Sequence, residues 1–222
     1  MTAPASTGPL PPAATGPAPT AEQVAHRLWR AGVLPVLRTP EPDTAHDAVH
    51  RLARAGVTVV ELTATTPQWP ALVRELRASL PDLTVGLGTV RSSDDAETAV
   101  AAGAHFLVTP FPVPGARAVS AAAGVLLAEG AFSPGEVAAA AAGGLAKLFP
   151  AHVGGPAYLR SLLAVLPEAR VIPTGGIGLD AADQWLEAGA FAVGVGGALF
   201  AGDLDTTAAR LARYDRDRLD LH

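Results

Sequence analysis

The sequence predicts a (β/α)8 barrel preceded by an N-terminal helix. Three observations carry that expectation. Eight short apolar runs alternate with eight helix-patterned segments; the runs are apolar throughout rather than at alternate positions; and no Gly-x-Gly-x-x-Gly turn follows the first run. Near-continuous apolar strands are buried on both faces, as in a parallel sheet wrapped by helices. The other architecture, an open doubly wound sheet, would be supported by the glycine-rich turn that is missing. Eight units in about 200 residues fit a compact barrel.

Taken in order, residues 1–20 are rich in Ala, Pro, Thr and Gly, with no charged side chain and no continuous apolar run. A signal peptide needs a basic start and an apolar core, so this segment reads as a disordered tail ahead of a barrel domain over 21–222. Thr20 suits an N-cap, and Val24, Leu28 and Ala31 share one side of a helix over 21–31. Strands are expected at 33–37, 57–63, 84–89, 105–109, 125–129, 145–149, 170–174 and 191–195. The helices that follow them begin near 43, 68, 92, 115, 134, 156, 181 and 206. Several helices end in Ala-Gly, at Gly56, Gly103 and Gly189, where glycine can take the left-handed C-cap conformation.

With 222 residues, 49% of them hydrophobic and 17% charged, the chain can bury a substantial core. The net charge is −5 and no basic cluster is present, which argues against nucleic acid and anionic membranes as partners. No stretch approaches the apolar length of a membrane span, and a cytoplasmic, soluble protein is the expectation. Cysteine is absent, which removes disulfides, thiolate metal sites and cysteine nucleophiles.

A barrel places its chemistry at the carboxyl ends of its strands. Two charged residues stand out inside apolar runs. Lys147 is the sole lysine, the other 15 basic residues being arginine. Lysine, unlike arginine, can lose its proton when desolvated and then act as a base or a nucleophile. Glu61 lies in Val59-Val60-Glu61-Leu62, where a buried carboxylate needs a partner. An inward Glu61–Lys147 pair reads either as an ion pair filling the barrel or as a proton-transfer group beside a Schiff-base lysine.

Arg38 ends strand one, and Thr63 and Thr65 follow Glu61 on its face. Glycine pairs after strands seven and eight, Gly175-Gly176 and Gly196-Gly197, expose backbone N–H groups where barrels commonly bind phosphate. An inward acid, the lysine, an arginine for a carboxylate and these turns together suggest a phosphorylated keto acid as substrate. His46 and His50 lie one helical turn apart without an evident third ligand, so no metal is expected. His152 follows the lysine strand and is a weak candidate for the site mouth.

At these residues the chain resembles the 2-keto-3-deoxy-6-phosphogluconate aldolases and the related phosphogalactonate and 4-hydroxy-2-oxoglutarate aldolases. The likeness runs from about Ala21 to Ala212. It rests on Leu34-Pro35-Val36-Leu37-Arg38, Val60-Glu61-Leu62-Thr63, Gly86-Leu87-Gly88-Thr89-Val90, Lys147-Leu148-Phe149-Pro150 and Pro173-Thr174-Gly175-Gly176-Ile177, in this order on successive strands. The resemblance implies a class I, metal-independent lyase that uses no cofactor and forms a homotrimer. It implies Lys147 as Schiff-base nucleophile and Glu61 as acid/base. Arg38 and Thr89 would hold the pyruvate carboxylate, Phe149 would pack on the pyruvate end, and Pro110 would shape the pocket beside strand four. Thr174, Gly175, Gly176, Gly196 and Gly197 would cradle the phosphate. The chain departs from the family pattern at three positions. Thr65 stands where many members carry arginine. Gly197 replaces the usual serine and its hydroxyl. Glu129 replaces the usual proline, which suggests a second acid near the site.

Overall fold

The computed structural model describes residues 18–216. Eight strands are present: β1 Val33–Leu37, β2 Val59–Thr63, β3 Thr84–Gly88, β4 Phe106–Val108, β5 Leu126–Ala131, β6 Leu145–Leu148, β7 Val171–Pro173 and β8 Val193–Val195. Among the described residues nine α-helices accompany them. These are α1 Ala21–Ala31, α2 Pro42–Arg54, α3 Trp69–Ser79, α4 Ser93–Ala101, α5 Pro114–Ala123, α6 Pro134–Ala142, α7 Gly155–Val165, α8 Ala182–Glu187 and α9 Leu204–Leu211. All strand pairs are parallel, in the order β7-β6-β5-β4-β3-β2-β1-β8. The two ends of this sheet meet at a bridge between Thr174 and Gly194, which brings the barrel close to full closure. The predicted (β/α)8 barrel and its leading helix are therefore observed. The expected tail lies outside the described residues except for 18–20.

The strands are apolar on both faces because each faces two cores. The outer core joins side chains such as Leu62, Leu87, Leu107 and Leu148 to the helix layer. The inner core fills the barrel with Leu34, Val59, Phe106, Leu126, Leu145 and Ile172. Helix α1 belongs to this inner core: Val24, Ala25 and Leu28 pack against the inward side chains and close the amino-terminal end. Its start is fixed by a capping box between Thr20 and Gln23, as the Thr20 signal predicts. With one end closed by a helix, only the carboxyl end of the barrel stays open. Among the described residues no helix is long and apolar enough to cross a membrane.

Candidate active site

Two alternations set what the barrel interior holds at its open end. Along β2 the inward positions are Val59, Glu61 and Thr63; along β6 they are Leu145 and Lys147, with Phe149 next beyond the strand. Glu61 is 1% exposed and Lys147 is 6% exposed. The Lys147 Nζ lies 3.7 Å from Glu61 Oε1, so the two are held by charge rather than by a hydrogen bond. That carboxylate oxygen is buried and has no hydrogen-bond partner. Burial pushes the Glu61 carboxyl above the ordinary carboxylate range, and the charges of Lys147 and Arg38 pull it back only in part. Gly88 on β3 makes the slot for it, since a Cβ at that position would collide with the Glu61 carboxylate. Gly86 does the same for the Phe106 ring one layer below.

The pair stands in a cleft of about 500 Å³. On one side Arg38 Nη2 donates to Thr89 Oγ1 at 3.3 Å. Thr89 has φ 60°, a left-handed conformation that costs a β-branched residue roughly 1–3 kcal/mol. The hydroxyl is thus presented at this point at the expense of backbone strain. On the other side the Phe149 ring centroid lies 5.5 Å from the Lys147 Nζ. The Gly175-Gly176 turn packs directly on that wall, both glycines having positive φ, and a Cβ on Gly175 would stand 2.8 Å from the Phe149 ring. Thr174, Gly196 and Gly197 complete this rim. The charged side chains lining the cleft are Arg38, Lys147 and Glu61. Two basic side chains against one carboxyl suit an anionic ligand.

Most of the residues singled out in the sequence are thus brought together: Arg38, Glu61, Thr89, Lys147, Phe149, Thr174, Gly175, Gly176, Gly196 and Gly197 all line the cleft. Pro110 does not line it; its backbone packs over Gly130, the residue in register with Lys147. His152 lies against the glycine turn, with Nδ1 3.3 Å from the Gly175 carbonyl oxygen, and is not among the lining residues. His46 and His50 stack with ring centroids 4.4 Å apart on α2, and no group of three or more metal-ligating side chains occurs among the described residues.

The structure corrects the expectation for Glu129. It pairs in register with Ala146, which faces the outer core, and not with inward Lys147. Its Oε1 accepts from the Val113 N–H at 3.1 Å at the start of α5, and its Oε2 accepts from Arg117. Glu129 is therefore a buried anchor for α5 on the far face of the sheet, where an acid also suits the positive end of a helix. The sequence reading also missed Val36, Ile177 and Phe200, which line the cleft. They are apolar residues in an apolar-rich chain and carry no signal of their own.

The fold and the pair at its centre define a class: a (β/α)8 barrel with a lysine–carboxylate site at its carboxyl end. The profile of the KDPG and KHG aldolase family matches residues 24–211. The chain belongs to that family, a family of carbon–carbon lyases. It is 36% identical over 126 residues to the 2-dehydro-3-deoxy-phosphogluconate aldolase of Pseudomonas aeruginosa, a match covering 55% of this chain and 57% of that one. It is 28% identical over 145 residues to the 2-dehydro-3-deoxy-6-phosphogalactonate aldolase of Escherichia coli, covering 64% and 71%. Among solved structures, the 2-keto-3-deoxy-6-phosphogluconate aldolase of Zymomonas mobilis with 3-phosphoglycerate superposes with a TM-score of 0.77. That match is 27% identical and covers 89% of this chain and 97% of the other.

Proposed function

We propose that this chain is a class I aldolase that cleaves 2-dehydro-3-deoxy-6-phosphogluconate to pyruvate and glyceraldehyde 3-phosphate. The observation that carries the reading is Lys147 Nζ buried 3.7 Å from the unsatisfied oxygen of Glu61 at the floor of an open cleft. The Lys147 amine adds to the C2 ketone, and loss of that oxygen as water leaves an iminium. Glu61 takes the proton of the C4 hydroxyl; the C3–C4 bond breaks, and its electron pair flows into the iminium. The aldehyde leaves and an enamine remains. Glu61 returns the proton to C3, and water hydrolyses the iminium to free pyruvate and Lys147. Arg38 and Thr89 hold the carboxylate, and the backbone N–H groups around Gly175-Gly176 and Gly196-Gly197 receive the phosphate. Borohydride reduction in the presence of pyruvate should add one reduced pyruvyl group to Lys147. Absence of that adduct would sink the mechanism. A homotrimer is part of the same proposal, and sedimentation should then report three times the 22.4 kDa of the chain.

One observation favours a second substrate within this chemistry. Gly197 sits at the phosphate end with open space where a side chain would stand, so no hydroxyl meets the phosphate there. Such a site also suits the unphosphorylated 4-hydroxy-2-oxoglutarate. Equal catalytic efficiency with and without the phosphate would decide for it, and a strong preference for the phosphorylated acid would decide against it.

A further inference from the structure

The cleft shares one of its walls with a second cavity. Phe200 lines the cleft together with Gly197 and Ile177, and it also lines a neighbouring hollow of about 420 Å³ between α2 and the start of α9. The other walls of that hollow include Thr44, Ala48, Arg51 and Asp203. Arg51 is engaged there by Asp205 at 2.8 Å and Asp203 at 3.7 Å, so it is committed to α9 rather than to a ligand. Phe200 is 41% exposed, although Leu199 beside it is fully buried. The short 3-10 turn Gly197–Phe200 is therefore pinned at Leu199 while the next ring lies between two open spaces. Gly197 opens this turn and Gly202 follows it, and neither position has an atom within 4 Å of where a Cβ would be. Rotation of a half-exposed side chain is fast and needs no backbone shift.

We propose that Phe200 is a specificity-determining wall that sets the length of the aldehyde half of the substrate. With its ring in the cleft, the distal end fits a three-carbon aldehyde. With its ring turned into the neighbouring hollow, the cleft lengthens and takes a longer one. The proposal rests on the aldolase reading above and deepens it. Phe200 makes no part of the Lys147–Glu61 pair, so it acts on the choice of partner aldehyde and leaves Schiff-base formation alone.

The test runs in the synthetic direction on the full chain, with pyruvate and either glyceraldehyde 3-phosphate or erythrose 4-phosphate. The readout is the ratio of kcat/KM for the four-carbon aldehyde to that for the three-carbon one. Phe200→Ala opens the wall and should raise this ratio about tenfold or more, the discrimination that a pocket exerts on one extra carbon. Thr44→Trp, at an exposed position of α2, fills the hollow behind the ring and should lower the ratio while leaving the three-carbon reaction unchanged. Phe200→Leu serves in place of Phe200→Ala if the smaller side chain unfolds the turn, with a smaller rise expected. Pyruvate trapping by borohydride is measured on each protein. Intact trapping with an unchanged ratio in both the Phe200 and Thr44 variants overturns the role of Phe200 alone. No trapping in the unsubstituted protein overturns the aldolase reading and this inference together.

Discussion

Glu61 and Lys147 each carry a desolvation cost that the other offsets only in part, since their 3.7 Å separation leaves one carboxylate oxygen without a hydrogen bond. The raised Glu61 carboxyl takes up its proton at a higher pH than an exposed one would. A reaction that needs the carboxylate should therefore lose rate, as pH falls, from above the ordinary carboxylate range. In Glu61→Gln this acid limb should vanish and kcat should fall by about 10²–10⁴; an unchanged limb would assign it elsewhere. His105 is another buried titratable group, at the opposite end of the barrel. Its Nδ1 accepts from the Val85 N–H at 3.0 Å, a role that needs the neutral ring. Burial first, then Arg77 and Arg27, depress it to about 4 from 6.5. Between those values the unfolded chain binds a proton that the folded chain refuses, so stability is full above pH 6.5 and falls toward pH 4, by up to ~3 kcal/mol. His105→Asn keeps an acceptor without the titration, and its stability should vary less across this window; equal slopes would rule the assignment out. Lys147 and Glu61 were legible in the sequence because a charge inside an apolar run needs a reason to be there. Glu129 stood out as an acid in place of the family's usual proline, and its role proved to be a different one. In a parallel barrel both faces of a strand are apolar, so the side toward which its acid points cannot be read from the pattern.

The pairing of β5 with β6 settles that question, because it places Glu129 opposite Ala146 and Gly130 opposite Lys147. Glu129 accordingly serves α5: it accepts from the N–H of Val113, the residue that precedes the helix, and holds Arg117 within the helix. Glu129→Ala should cost about 1.5–3 kcal/mol in denaturant unfolding, the range for hydrogen bonds to a charged group. Pyruvate trapping on Lys147 should continue unchanged. Loss of trapping in a folded Glu129→Ala protein would return this residue to the site. The predicted strands and helices agree with those observed to within a few residues at their ends. The exceptions are the 3-10 turns at Ala151–Val153, Leu179–Ala181, Gly197–Phe200 and Ala212–Tyr214, which are too short to show a period; of these, Gly197–Phe200 lines the cleft. Helix α1 was legible as amphipathic, but its task was not. Its apolar face, Val24, Ala25 and Leu28, packs into the inner core and closes the barrel at that end.

At the scale of the whole molecule, the barrel closes where β7 and β8 meet at Thr174 and Gly194. A Cβ at position 194 would collide with the Thr174 side chain, so the absence of a side chain is what lets the seam close. Gly194→Ala should destabilise the fold by about 1–3 kcal/mol, as overpacking does, and should displace Thr174 at the rim of the cleft. Raised KM with preserved trapping is the expected kinetic result; unchanged stability and KM together would show that the seam tolerates the methyl. By itself, the sequence determined the eightfold alternation, the closure of one family of short motifs around Lys147 and Glu61, and the glycine turns, because each depends on local pattern or on a residue type that is costly to bury. Tertiary structure alone decided which way Glu129 points, that the Pro110 backbone packs over Gly130 and does not line the cleft, and that Phe200 lies between two cavities. Those facts depend on strand register and on the meeting of elements far apart in the chain, and apolar residues carry no local mark of which neighbour they will meet.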